Sequence, residues 1–335
     1  MSENSQNKGK DPINKSRFLG KIDFFHLFVN YAGLLFVLLG MIIFFSFSSE
    51  YFFSIQTLHI IANQIPELTV IAVGMTFVLI IAGIDLSVGS VMALSGMIIS
   101  IAIVDWQLSF PLAVCLGMLG GLACGIINGV ITVTWSIPSF IVTLGMLEMA
   151  RGAAYLVTNS RTKYIGSGVD AISDPWIFGV SPAFIIALLI VIGAQLILSY
   201  SVFGRYMIGI GTNEEAMRLT GINPKPTKVI VFSIAGLMCA MGAVFHISKL
   251  EAADPNAGAG LELQAIAAVV IGGTSLMGGR GSVFTTFIGV LIISILEAGL
   301  AQIGASEPTK RFITGLVIIV AVIFDIYRNR LSSGK

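Results

Sequence analysis

Charge is what this chain has least of. Of its 335 residues only 11% are Asp, Glu, Lys or Arg, while 56% are hydrophobic. A globule so poor in charge cannot cover its apolar surface in water, and a mean hydropathy of +0.93 places the chain among integral membrane proteins. Cysteine is also scarce. Cys115, Cys124 and Cys239 all fall inside apolar runs, where a thiol packs as a small hydrophobe, and their spacing matches no metal site. The apolar runs lack the strict period-two alternation that a membrane barrel needs. No polar linker divides the chain into soluble domains, and low complexity is confined to the polar N-terminal tail. With a net charge of +1, the basic residues are explained by membrane topology and give no reason to expect a nucleic-acid partner.

What remains is long apolar sequence. A hydrocarbon core takes roughly 20 helical residues per crossing, and the runs here supply about ten crossings. They fall near 28–49, 58–81, 88–104, 111–133, 138–157, 180–200, 228–248, 261–277, 282–303 and 311–327. The expected fold class is all-α: a polytopic bundle in the lipid membrane, one transmembrane domain over 28–327 between a basic tail (1–27) and a short tail (328–335). The first run is too long for a signal-peptide core and lacks a clear small-residue cleavage site, so it is expected to remain as a span. With ten crossings and the N-terminus inside, the inner segments carry Lys8, Lys10, Lys15, Arg17, Lys21, Arg205, Arg218, Lys225, Lys228, Arg280, Arg328, Arg330 and Lys335. Arg151, Arg161, Lys163, Lys249, Lys310 and Arg311 are left on or near the outer side. That asymmetry predicts cytoplasmic termini and a cytoplasmic loop over 201–227. A miscount of one span before residue 200 would reverse the loop.

This loop is the chain's one substantial polar interruption between two spans that carries its own helix signals. Thr212-Asn213-Glu214-Glu215 fits a capping box, Glu214 and Arg218 stand four apart as an ion pair, Gly221 suits a left-handed closing position, and Pro224 forbids continuation. A short helix from about Asn213 to Thr220 is predicted, with Ala216, Leu219 and Thr220 as a small-to-medium stripe. Alone it would be marginal. It is either held by a partner or is a solvated turn.

Three further patterns stand out. Gly117, Gly121, Gly125 and Gly129 recur at four-residue intervals in the fourth run, letting another helix approach closely or leaving room for a solute. Gly83-Ile-Asp85-Leu-Ser87-Val-Gly89-Ser90 interrupts the apolar sequence; Asp85 either marks a path at membrane depth or caps a helix at a tight turn. A faint echo of that segment occurs at Gly273–Val283. The glycine spacing there, Gly273 to Gly278, is a false phosphate loop, since Gly279 stands where a Lys is required. No nucleotide site, metal cluster or catalytic constellation emerges, so an enzyme is not expected. Among ionisable residues near spans, Glu148 and Arg151 are spaced to pair, and Glu297 is the one least easily placed at a span end.

At these residues the chain resembles the membrane permeases of ribose-type ABC importers, a binding-protein-dependent family of bacterial sugar transport. The resemblance covers roughly residues 55–327. It rests on Ala82–Ser90, Asn128-Gly129 followed by Ile137–Gly145, Gly211–Ala216 leading to Gly221-Ile222, and Ala267–Ser282. It implies a permease dimer, of identical or sister chains, in the bacterial inner membrane. ATPase subunits holding ATP and Mg would lie below and a periplasmic sugar-binding protein above. Residue by residue it places Asn213, Glu214, Glu215, Ala216 and Gly221 in an ATPase-coupling helix, with Arg218 on the same helix. Asp85, Ser87, Asn128 and Thr143 fall in motifs near the translocation path. Trp135-Ser136 departs from the basic or small residues expected before Ile137-Pro138. The alternative reading is a secondary carrier driven by an ion gradient, with Asp85 or Glu297 titrating. The solute is not named by the sequence.

Overall fold

A computed structural model describes residues 24–176 and 179–333; most of the tail expected over 1–27, and residues 334–335, lie outside the described residues. Among the described residues the chain forms twelve α-helices: α1 (Phe24–Ser48), α2 (Ile55–Ile80), α3 (Val88–Val104), α4 (Phe110–Thr134), α5 (Ser139–Val157), α6 (Pro182–Tyr200), α7 (Val202–Thr212), α8 (Glu214–Leu219), α9 (Pro224–Leu250), α10 (Leu261–Ile271), α11 (Val283–Gln302) and α12 (Glu307–Ser333). Six of them, α2, α4, α5, α6, α9 and α11, are long and apolar enough to cross a membrane unaided. The molecule is a polytopic helical membrane bundle.

Helix ends follow local chemistry. Pro111, Pro182 and Pro224 sit in the first turns of α4, α6 and α9, where a missing N–H costs no helical bond. Ser54, Ser181 and Asn223 each accept a backbone N–H at the start of α2, α6 and α9. At the end of the bundle opposite α8, a two-residue antiparallel pairing joins Lys163-Tyr164 (β1) to Ala252-Ala253 (β2). Lys163 forms an ion pair with Asp105 there. The Tyr164 hydroxyl donates to Glu251 at 3.1 Å, and that carboxylate holds the phenol above its usual pKa.

The core is organised around α9, which packs on α2, α3 and α4. The α4 glycines make its closest approach possible. A Cβ at Gly121 would lie 2.5 Å from the Gly236 carbonyl oxygen, one at Gly125 would lie 2.3 Å from that of Phe232, and one at Gly129 would lie 2.8 Å from the Val229 Cα. Gly117 faces α3 instead, with Ile99 in the space its side chain would fill. The four-residue interval drifts around the helix by about 40° per step, because a turn takes 3.6 residues; one end of the stripe therefore meets α3 and the rest meets α9.

The run expected as a span over 261–277 is different. Its helix ends at Ile271, after eleven residues, about 16 Å at 1.5 Å per residue and too short to cross. The reason lies on either side of it. Gly272-Gly273 stops the helix, and before it the loop turns inward so that a Cβ at Gly89 would sit 2.1 Å from the Gly258 oxygen. Non-helical backbone takes up the missing length, with Gly272, Thr274, Ser275 and Gly279 buried against protein as membrane depth requires.

Gly125→Leu should therefore prevent close packing of α4 on α9 and lower the thermal unfolding midpoint in detergent by 10 °C or more, or abolish folding. Gly152→Ala on α5, where an added Cβ meets nothing within 4 Å, should leave it within about 2 °C.

Candidate functional site

Between α2 and α3 the chain leaves the helix at Ile81 and runs without regular structure through Ser87. Ala82 takes a positive φ of 59° and turns the backbone; the residues after it climb along the first turn of α5. The Ile84 N–H donates to Ser139 Oγ at 2.9 Å, the Leu86 N–H donates to Thr143 Oγ1 at 3.1 Å, and Thr143 Oγ1 donates to the Ile84 carbonyl at 3.2 Å. The match is metric. Four helical residues from Ser139 to Thr143 rise about 6 Å, and two extended residues from Ile84 to Leu86 rise about 6.6 Å. Hydroxyls one turn apart on α5 thus meet alternate residues of the unwound segment, supplying the hydrogen bonds its backbone would otherwise lack in an apolar interior.

Asp85 is buried beneath this clamp. Its Oδ1 accepts the Ser87 N–H at 2.8 Å and the Ser87 Oγ–H at 2.6 Å, a local turn that launches α3. Asn128 of α4 donates to Ser87 Oγ at 3.1 Å, and its own Oδ1 has no hydrogen-bond partner among the described residues. Asp85, Ser87 and Asn128 therefore form one hydrogen-bonded cluster, and Thr143 holds the backbone on either side of Asp85; all four are at most 2% exposed.

The second echoed segment, Gly273–Val283, meets the same end of α2. The Gly279 N–H donates to the Ile80 carbonyl at 2.9 Å. A Cβ at Gly211, near the end of α7, would lie 1.8 Å from that oxygen and 2.5 Å from the Gly279 nitrogen. Three separate stretches of backbone thus close on one point, and α8 hangs from it.

The local chemistry of α8 differs from its sequence reading in two respects. The cap is Asn213, whose Oδ1 accepts the Ala216 N–H at 2.9 Å; Thr212 belongs to α7 and donates to the Ile208 carbonyl instead. Arg218 pairs with Glu215 at 3.4 Å, not with Glu214, which is taken by Lys228 of α9. Gly221 closes the helix at φ +85°, with the Ile222 N–H reaching back to the Met217 carbonyl at 3.1 Å. Asn213, Glu214, Glu215, Ala216, Arg218, Leu219, Thr220 and Gly221 are all exposed. Met217 alone turns inward, onto Gly209 of α7. Sequence reading missed this anchor, since a Met on a polar loop gives no signal until its glycine partner is seen. A cavity of about 770 Å³ opens beside α8, reaching Gly83, Val133, Pro138 and Ser139.

At the opposite end of α5, Arg151 donates to the carbonyls of Pro255 and Ala257, so it is not the partner of Glu148. Glu148 is exposed and forms no hydrogen bond or ion pair with any described residue. Glu297 is covered: Gln264 donates to it at 2.7 Å on the wall of a 680 Å³ cavity between α2, α10, α11 and α12. His246 of α9 and Glu67 of α2 pair at 2.9 Å.

The fold is a membrane bundle with a capped, exposed helix slung from it, and the comparison with known families gives its class. Residues 57–322 match the family described as "Branched-chain amino acid transport system / permease component", and the chain belongs to that family. It is 38% identical to the ribose import permease protein RbsC of Escherichia coli K12 over 298 residues, 87% of this chain and 92% of the relative. It is 30% identical to the fructose import permease protein FrcC of Rhizobium meliloti, covering 84% and 81% of the two chains. With the autoinducer 2 import system permease protein LsrC of Photorhabdus luminescens it shares 31% identity, covering 82% and 83%. No solved structure matches. The protein is a multi-pass permease of the inner membrane.

Replacing Thr143 by Val deletes the acceptor for Leu86 and the donor to Ile84, stranding part-buried backbone groups; a loss of about 1–3 kcal/mol is expected. Thr143→Ser should retain most of the stability. Chemical or thermal unfolding of the purified protein in detergent distinguishes the two.

Proposed function

We propose that this chain is the membrane subunit of an ATP-driven ABC importer for a monosaccharide or a related small polyol, forming the translocation path by alternating access. The observation that carries the reading is α8. It is a capped helix of six residues, too short to persist for its own sake, with its apolar Leu219 81% exposed and a joint at its base that touches both breaks in the bundle.

In this reading α8 and its flanks seat in a groove of an ATPase subunit. Ala216 and Leu219 make the apolar contact, Asn213, Glu215 and Arg218 surround it, and Gly221 sets the exit angle. ATP and Mg are held by that subunit. The loop, both chain ends and the 770 Å³ cavity then lie on the cytoplasmic side, in keeping with the Lys and Arg asymmetry. Two permeases enclose the path, and a periplasmic binding protein delivers the solute from the other side. The relatives named for ribose, fructose and autoinducer 2 import support a small polyhydroxylated cargo. The buried hub of Asp85, Ser87, Asn128 and Thr143 serves behind the path wall, fixing α5 rather than touching solute.

Leu219→Glu or Ala216→Arg should reduce co-purification of the ATPase subunit at least tenfold and abolish uptake, while the permease alone keeps its thermal midpoint within about 2 °C. Uptake in proteoliposomes that continues without ATP or the ATPase, and stops when an ion gradient is collapsed, would overturn the reading in favour of a secondary carrier.

A further inference from the structure

Among the long spans α5 is the least covered by the rest of the chain. Its open side follows a single helical stripe through Ile141, Leu144, Gly145, Glu148, Met149 and Leu156, all exposed. Glu148 lies nine residues from either end of the helix, so about 13.5 Å of helix extends on each side at 1.5 Å per residue. That is the middle of a hydrocarbon core about 30 Å thick. The side chain has no partner among the described residues, and neither Gly145 nor Gly152, one turn before and after it, has any atom within 4 Å of where a Cβ would stand. An ionisable group at this depth does not face lipid; it faces water or a partner.

Both ends of α5 are fixed to the bundle, by Ser139 and Thr143 at one end and by Arg151 at the other. The helix cannot roll to bury Glu148 without breaking these bonds. None of the described residues can then cover Glu148, which needs water or an outside partner against this face. A second copy with the same stripe meets this need, because two carboxylates brought face to face across a two-fold axis repel unless water separates them. We propose that Glu148 from each of two copies projects into a water-filled path between facing α5 helices. The path's midpoint is then negative, and its hydrogen-bond acceptors admit uncharged polyols while repelling anions. This inference rests on the importer reading for its cargo, but the path geometry itself does not depend on ATP.

The test uses the assembled transporter in membrane vesicles with Cys115, Cys124 and Cys239 replaced by Ala. In a Gly152→Cys variant that keeps Glu148, a cationic, membrane-impermeant methanethiosulfonate reagent is expected to react at least fivefold faster than an anionic one, after normalisation to free cysteine. Adding Glu148→Gln should erase that preference. A Leu189→Cys control on α6, at an open position among apolar residues, should react at least tenfold more slowly with either reagent. A Glu148→Cys variant should be cross-linked between two copies by a bifunctional thiol reagent spanning about 10 Å, on the scale of packed helices. Equal rates with the two reagents, reaction only with a lipid-soluble maleimide, or absence of cross-linking between copies would each overturn the inference. None of these measurements requires turnover, so their failure is distinct from ATP-independent uptake, which would overturn the importer reading alone.

Discussion

The bundle depends on two hydroxyls. Ser139 and Thr143 of α5 satisfy the backbone of Ile84 and Leu86, and without them an extended stretch of chain could not lie inside an apolar interior. A single unpaired amide there costs on the order of 1–3 kcal/mol; several together would be incompatible with a fold whose net stability is only about 5–15 kcal/mol. Once the segment is held, the rest follows. α3 starts part-way along the bundle, its first turn leaves space beside Gly89 for the Gly258 loop, and α10 begins late and remains short.

The same clamp explains how a helix with so few neighbours keeps its place. α5 is tied by hydroxyls to the α2–α3 break and by Arg151 to the carbonyls of Pro255 and Ala257. These bonds fix its rotation as well as its position, and they leave one face uncovered. A charge at mid-depth on a spanning helix costs about 2.5–3.5 kcal/mol on insertion, so Glu148 on that face needs a functional reason. By contrast α4, whose glycines bring it onto the backbone of α9, is held by close packing. One helix is positioned by directional bonds, the other by contact area, and the two are neighbours.

Much of this architecture was legible in the sequence. Long apolar runs gave the helices because nothing else satisfies a backbone in lipid, and the glycine interval in α4 marked a close approach. Gly221 and Pro224 located the end of α8, since each constrains φ directly. What escaped had a common character: it depended on partners remote in sequence. The capping box at Thr212 is a sound local pattern, but α7 continues through Thr212 and the role passes to Asn213. Glu214 is spaced for Arg218, yet Lys228 lies closer in space. Glu148 and Arg151 are spaced to pair, and the carbonyls of a loop a hundred residues later take the arginine instead. The length of α10 was misjudged for a related reason, because Gly272-Gly273 sits in apolar sequence that hydropathy alone cannot divide. For Asp85, where path and helix cap were both open, the structure adds a buried turn closed on Ser87 at the start of α3.

The meeting of Ile80, Gly211 and Gly279 also bears on how the molecule is made. These three contributors come from the first quarter, the middle and the last fifth of the chain, and the bond from Gly279 to Ile80 exists only after the α10–α11 connection has emerged from the ribosome. Until then the arm carrying α8 is held only by earlier contacts, Met217 on Gly209 and Glu214 with Lys228 among them. The Gly279 bond thus completes the joint from which α8 is slung. The joint beneath α8 is therefore closed by a segment encoded late in the chain.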